Sequence, residues 1–238
     1  MSFNRVLACS SSKSGNGKYL APVVPLLKNF LGDATLTIAF IPFATTGDYE
    51  SYVSMVRSGL DELPYVVTLV TPGNAIKIIN SANVIMVGGG NTFKLLHDIY
   101  ALQLLDIIRD KINSGTPYVG WSAGTNIAGP TIGTTNDMPV IEPKSFNALG
   151  LLPFQLNPHY TNQQIEGHHG ESRDQRLHEF LLLNPGVPVV GLPEGTALKL
   201  EDGRLQYIGT CPGNLFQLEN GVPAQRQIAG GEDVTFLL

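Results

Sequence analysis

Tyr118-Val119-Gly120-Trp121-Ser122-Ala123-Gly124 packs a strand, a turn and a helix start into seven residues. An apolar β-type run, Pro117-Tyr118-Val119, leads in, and a short helical stretch over Ala123–Ala128 leads out. A serine with glycines two places to either side is the G-x-S-x-G pattern of a strand-to-helix turn. That turn is so tight that the flanking side chains must be hydrogen atoms. It forces Ser122 into strained backbone geometry and lifts its hydroxyl above a sheet. The helix that follows aims its first N–H groups at the same spot, so the N–H of Ala123 can stabilise an oxyanion.

A βα turn of this kind belongs to an α/β fold, and the pattern around it agrees. Strands are predicted at Arg5–Ala8, Leu36–Phe40, Tyr65–Leu69, Val84–Val87 and Tyr118–Gly120. Helices are predicted near Leu20–Leu31, Tyr49–Leu60, Asn74–Asn80 and, as two pieces, Thr92–Asn113. The strands are apolar throughout rather than alternating, as expected when helices cover both faces of a parallel sheet. The fold class is therefore α/β, with a doubly wound, mostly parallel sheet and helices on both faces. Further on, a helix over Ser172–Leu183 precedes an apolar run, Val187–Leu192. Leu198–Leu200 and Leu205–Ile208 flank Asp202-Gly203, a hairpin signal, so a small C-terminal β hairpin extension is expected. Leu215–Leu218 and Val234–Leu237 are read as additional antiparallel edge strands. With no repeat, low-complexity tract or linker in view, residues 1–238 are read as one catalytic domain.

Composition narrows the function. Hydrophobic residues make up 43% and charged residues 15% of the 238, enough apolar material for a sizeable core. The net charge is −5 and the 15 basic residues are scattered, so a nucleic-acid partner is not expected. Two cysteines, Cys9 and Cys211, are read as reduced thiols. No stretch reads as a membrane span or signal-peptide core, and a cytoplasmic location is the expectation.

A serine hydroxyl needs a base beside it. Of the five histidines, His97 and His178 sit inside amphipathic helical patterns, while His168 and His169 share a glycine-rich loop. As a metal pair those two lack a well-spaced third ligand, and no metal is expected. His159 follows a strand-like run in Leu156-Asn157-Pro158-His159, and loops at strand C-termini are where α/β folds place their chemistry. His159 is the candidate base. Two acids could orient its ring: Asp137, in Thr134-Thr135-Asn136-Asp137-Met138-Pro139, and Glu194, in Gly191-Leu192-Pro193-Glu194-Gly195. Gly88-Gly89-Gly90-Asn91-Thr92, after a predicted strand, lets backbone approach a ligand closely and suits the other half of an oxyanion hole. It lacks the G-x-G-x-x-G spacing of a dinucleotide site.

Taken together, Val87–Asn91, Tyr118–Gly124, Thr134–Pro139, Asn157-Pro158-His159, Gly167–Arg176 and Gly191–Gly195 resemble the peptidase E family of α-aspartyl dipeptidases. These are serine peptidases on a fold similar to class I glutamine amidotransferases. The resemblance runs from about residue 36 to 200. It implies cleavage of dipeptides with an N-terminal aspartate, with no cofactor, Ser122 as nucleophile and His159 as base. It implies oxyanion donors at Gly90 and Ala123 and leaves the acid at Asp137 or Glu194. It also implies that Arg173 binds the substrate's aspartate carboxylate. Ser122 stands where the related amidotransferases carry cysteine, which favours the peptidase branch. An alternative on the same fold is a cyanophycinase-like β-aspartyl peptidase, and a second is a non-catalytic ligand-binding relative. The expected partner is a small peptide, and monomer and homodimer both stay open.

Overall fold

A computed structural model of the chain describes residues 4–163, 167 and 169–238. Its main sheet opens with parallel strands β1 (Val6–Cys9), β2 (Leu36–Ile41), β3 (Tyr65–Leu69), β4 (Val84–Val87) and β5 (Tyr118–Trp121). Between them run helices α1 (Val24–Leu31), α2 (Tyr49–Gly59), α3 (Ala75–Ser81), α4 (Thr92–Ala101) and α5 (Leu105–Asn113). These elements match the sequence expectation to within a few residues at their ends. Later come α6 (Ala123–Asn126), β6 (Gln155–Pro158), α7 (Arg173–Leu183) and β7 (Val189–Leu192). Then follow β8 (Ala197–Glu201), β9 (Arg204–Ile208), β10 (Gly213–Glu219) and β11 (Val222–Ile228). The main sheet has the order β3-β2-β4-β5-β1-β8-β9, with β8 antiparallel to β1.

The central strands β1, β4 and β5 are buried on both faces because each of their residues faces a layer of helix. Leu7, Cys9, Ile38, Phe40, Val84, Met86, Val119 and Trp121 point to one side, where they meet Leu27 and Phe30 of α1 and Val53 and Val56 of α2. Their neighbours along the strands, such as Val6, Ala8, Ala39, Ile41, Ile85 and Val87, face α3, α4 and α5 on the other side. Side chains alternate between faces with period two, so a strand covered on both sides reads as one apolar run.

Helix starts are set by local chemistry. Asp48 caps α2 by accepting the Glu50 N–H at 2.9 Å, and Asn91 caps α4 by accepting the Lys94 N–H at 3.0 Å. Ser172 and Gln175 form a reciprocal capping box at α7.

The C-terminal third departs from expectation in two ways. The Asp202-Gly203 hairpin forms and joins β8–β9 to the main sheet. However, β6 and β7 do not extend that sheet. They pair parallel to each other in a second sheet of order β11-β10-β7-β6, completed by the antiparallel β10–β11 hairpin. Helix α7 covers it, burying Leu177 and Leu181 against Val189, Phe216 and Tyr160. The strand expected at Val234–Leu237 is instead a short 3-10 turn over Thr235–Leu237. Asp233 Oδ1 accepts the Thr235 N–H at 3.0 Å, which winds the chain after a single bridge to Gln206. Among the described residues no helix is long and apolar enough to cross a membrane.

Candidate active site

Ser122 links β5 to α6 with φ +54° and ψ −114°, a backbone conformation that costs a non-glycine residue energy and marks functional turns. The strain is held from several sides. The Ser122 N–H donates to the carbonyls of Ser10 (3.1 Å) and Cys9 (3.3 Å) at the end of β1. Thr125 Oγ1 donates to Cys9 O at 2.6 Å and to Gly120 O at 3.0 Å, and Tyr118 Oη donates to Gly124 O at 2.5 Å. Gly124 itself packs so closely that a Cβ there would lie 2.3 Å from Val87 O. Trp121, one residue before the serine, is buried and stacks on Phe40 with ring centres 5.9 Å apart. The buried Cys9 thiol is pushed up to about 12 by desolvation, so it stays protonated and is a poor rival nucleophile.

His159 stands at the end of β6, also in the left-handed region (φ +53°). Its N–H donates to Ser10 Oγ at 2.9 Å, and that hydroxyl donates onward to Leu192 O at 2.7 Å. Ser10 thus touches the backbones of both Ser122 and His159 and joins the ends of β1, β5, β6 and β7. Among the described residues no hydrogen bond joins Ser122 Oγ to the imidazole. Such contacts commonly tighten only around substrate.

The two candidate acids have separate surroundings. Glu194, in the loop after β7, lies with Oε1 3.2 Å from His159 Nδ1, and both side chains are largely open to solvent. Asp137 does not reach the imidazole. Its Oδ2 accepts the Thr92 N–H at 2.7 Å, the Thr92 hydroxyl at 2.6 Å and the Thr135 hydroxyl at 3.2 Å, at the start of α4. The carboxylate there sits at the positive end of a helix dipole.

Gly90 has φ +138°, and a Cβ on it would lie 2.4 Å from Ala44 O, so only glycine fits. Neither Gly90 N–H nor Ala123 N–H has a partner among the described residues, which leaves both free to face an oxyanion. Beside this corner, Tyr52, Met55, Thr45, Gly89 and Gly90 line a mainly apolar cavity of about 490 Å³ on the α2 side of the sheet.

On the opposite side, the loop carrying Thr134–Asp137 and the first turn of α7 enclose a second cavity of about 240 Å³. Arg173 and Arg176 line it together with Asp137 and the fully buried Asn157. Asn157 is fixed by donating Nδ2 to Thr134 O (2.7 Å) and Asn136 Oδ1 (2.8 Å), and its Oδ1 accepts from Arg173 Nη1 at 3.3 Å. Burial and the neighbouring Arg176 charge lower the pKa of Arg173, yet a guanidinium stays protonated. Among the described residues Arg173 has no acidic partner. The adjacent Asp174 carboxylate is taken by Tyr160 Oη at 2.6 Å. His168 lies outside the described residues, and His169 is exposed.

Sequence reasoning did not find Ser10 or Asn157 as supports of the site. Both sit at strand ends, and their partners are 149 and 16 residues away, so only tertiary placement reveals them.

The model of peptidase family S51 matches residues 6–208. The chain belongs to peptidase family S51. It is therefore a serine-type peptidase. It is 49% identical to a peptidase E of Nostoc sp. over 217 residues, 90% of this chain and 89% of that one. It is also 49% identical to a peptidase E of Haemophilus influenzae over 207 residues, 86% of this chain and 95% of that one. The crystal structure of a peptidase from an acI-B1 Actinobacterium shares the fold. Its TM-score is 0.71 at 18% identity, covering 98% of this chain and 96% of that one.

Proposed function

We propose that this S51 member is a dipeptidase that hydrolyses Asp-Xaa dipeptides through an acyl-enzyme on Ser122. His159 takes the Ser122 hydroxyl proton as the oxygen attacks the scissile carbonyl, and the tetrahedral oxyanion is held by the N–H groups of Gly90 and Ala123. His159 then gives that proton to the leaving amine, and the aspartyl ester forms as the second residue departs. Water repeats the sequence in reverse order, releasing aspartate and regenerating the hydroxyl. Glu194 orients the imidazole and offsets its transient charge. The leaving residue occupies the apolar cavity beside Gly90. On this reading the enzyme works in the cytoplasm, with Cys9 and Cys211 as free thiols.

The observation that carries the substrate class is Arg173, half-buried in the wall of the second cavity next to Asn157, with no acidic partner among the described residues. A desolvated guanidinium needs an anion, and its fork matches a carboxylate with two hydrogen bonds. The test is a panel of Asp-Leu, Glu-Leu, Leu-Leu and β-Asp-Arg. Turnover of Asp-Leu well above the others is expected. Preference for β-Asp-Arg would instead indicate the cyanophycinase-like activity, and no turnover together with no Ser122 labelling by a fluorophosphonate would indicate a binding protein.

A further inference from the structure

An oxyanion donor must be held still, and Gly88-Gly89-Gly90 has no side chains with which to hold one. A planar trans peptide carries its C=O and N–H on opposite edges, so whatever fixes the Gly89 carbonyl also aims the Gly90 N–H. That carbonyl accepts a hydrogen bond from Tyr52 Oη at 3.1 Å. The same peptide borders the nucleophile: a Cβ on Gly89 would lie 3.0 Å from Ser122 Cβ and 3.1 Å from Trp121 Cδ1. We infer that Tyr52 is a positioning residue of the oxyanion hole, holding the Gly89–Gly90 peptide so that its N–H meets the developing charge. The role rests on the reading of Gly90 as an oxyanion donor and adds what keeps that donor in place.

The phenol is itself well fixed. Tyr52 stands in the first turn of α2, where its N–H donates to Asp48 O at 3.1 Å, and the buried Val53 and Val56 anchor that helix to the sheet. Its ring meets Phe40 edge-on with centres 5.1 Å apart and Tyr19 at 6.5 Å. A Cβ on Gly88 would lie 2.5 Å from Tyr52 Oη, so glycine there makes room for the hydroxyl. Burial pushes the Tyr52 pKa up, which keeps the phenol protonated and able to donate. On the far side of Gly90, the Asn91 N–H donates to Ala44 O at 2.8 Å, so the peptides before and after Gly90 are both tied to the scaffold. A hydrogen bond on the Gly89 carbonyl also polarises the peptide and strengthens its N–H as a donor.

Tyr52→Phe removes one hydroxyl and keeps the ring that lines the apolar cavity. It should slow fluorophosphonate labelling of Ser122 and lower kcat for Asp-Leu by about tenfold each, the scale of one buried hydrogen bond, while KM moves by less than about threefold. Tyr65→Phe is the control, since it removes a comparable bond from Tyr65 Oη to Gly32 O (2.6 Å) at the outer strand β3. Its labelling should stay within about threefold of wild type. Equal slowing in both variants overturns the inference, because it would reflect a general loss of rigidity. Labelling of Tyr52→Phe at the wild-type rate overturns it too, as does a change in KM alone, which would assign the hydroxyl to substrate. A peptidyl trifluoromethyl ketone carrying 13C at its carbonyl reads the hole directly. Ser122 Oγ bonds to the ketone carbon, its proton passes to His159, and the ketone oxygen becomes the oxyanion of a hemiketal. In wild type the pKa of that hemiketal, followed through its 13C shift, should lie below that of the hydrated ketone free in solution. Tyr52→Phe should raise it by about one unit, the equivalent of the tenfold loss. A hemiketal pKa lowered equally in both proteins overturns the Tyr52 role alone, whereas no lowering in wild type overturns the oxyanion-hole reading with it.

Discussion

At the residue scale the site separates groups that act on Ser122 from groups that hold substrate, and a small fluorophosphonate distinguishes them. It needs nucleophile, base and oxyanion donors but no substrate carboxylate. His159→Ala should slow Ser122 labelling by roughly a hundredfold or more, the usual scale of general-base catalysis. Glu194→Gln should slow it less, because the His159–Glu194 pair is exposed and exposed pairs contribute little. Asp137→Asn and Arg173→Ala should leave labelling within about threefold, since neither is assigned to the nucleophile's activation. His169→Ala should behave as wild type. A protonated imidazole cannot accept the hydroxyl proton, so labelling in wild type should fall on the acid side. Ser122 and His159 were legible because each stands directly after a strand whose apolar run is visible in sequence. The acid was not, because Asp137 in a polar loop and Glu194 after the apolar run of β7 were equally compatible with the pattern. Which one meets the ring depends on where β7 ends relative to β6.

At the element scale, the tight contact of α6 with β4 fixes the serine turn. Gly124→Ala would drive a Cβ to 2.3 Å from Val87 O, a backbone atom that cannot give way cheaply. It should destabilise the protein by about 3 kcal/mol, the upper range of overpacking costs, and reduce turnover; chemical denaturation and kinetics read the two effects. Neutral behaviour would mean the turn is looser than described. The elements before residue 122 were legible because each buries an apolar run or an amphipathic stripe. Strand β11 was not. Val222-Pro223-Ala224-Gln225-Arg226-Gln227-Ile228 carries a proline and a polar run, Gln225-Arg226-Gln227, and as an edge strand it needs only one partner, β10. The Val234–Leu237 run looked like a strand for the opposite reason: it is apolar, but Asp233 caps a turn there instead.

At the scale of the whole molecule, two sheets meet at the site, and sequence could not announce the second. An apolar run shows that a strand is buried, not which sheet it joins, and β7 lies between β6 and β10. The junction depends on Ser10, whose hydroxyl serves His159 N–H and Leu192 O together. Ser10→Ala should cost about 1–3 kcal/mol for the groups left unpaired. It should also lower kcat for Asp-Leu more than it raises KM, because it loosens the base rather than the substrate cavity. An equal or larger change in KM would contradict that division. The central claim is that hydrolysis passes through Ser122, and kcat of Ser122→Ala on Asp-Leu tests it most directly. A folded variant should lose roughly ten-thousandfold or more, leaving only what binding and the oxyanion donors supply. Retention of more than about a hundredth of wild-type kcat would contradict the account.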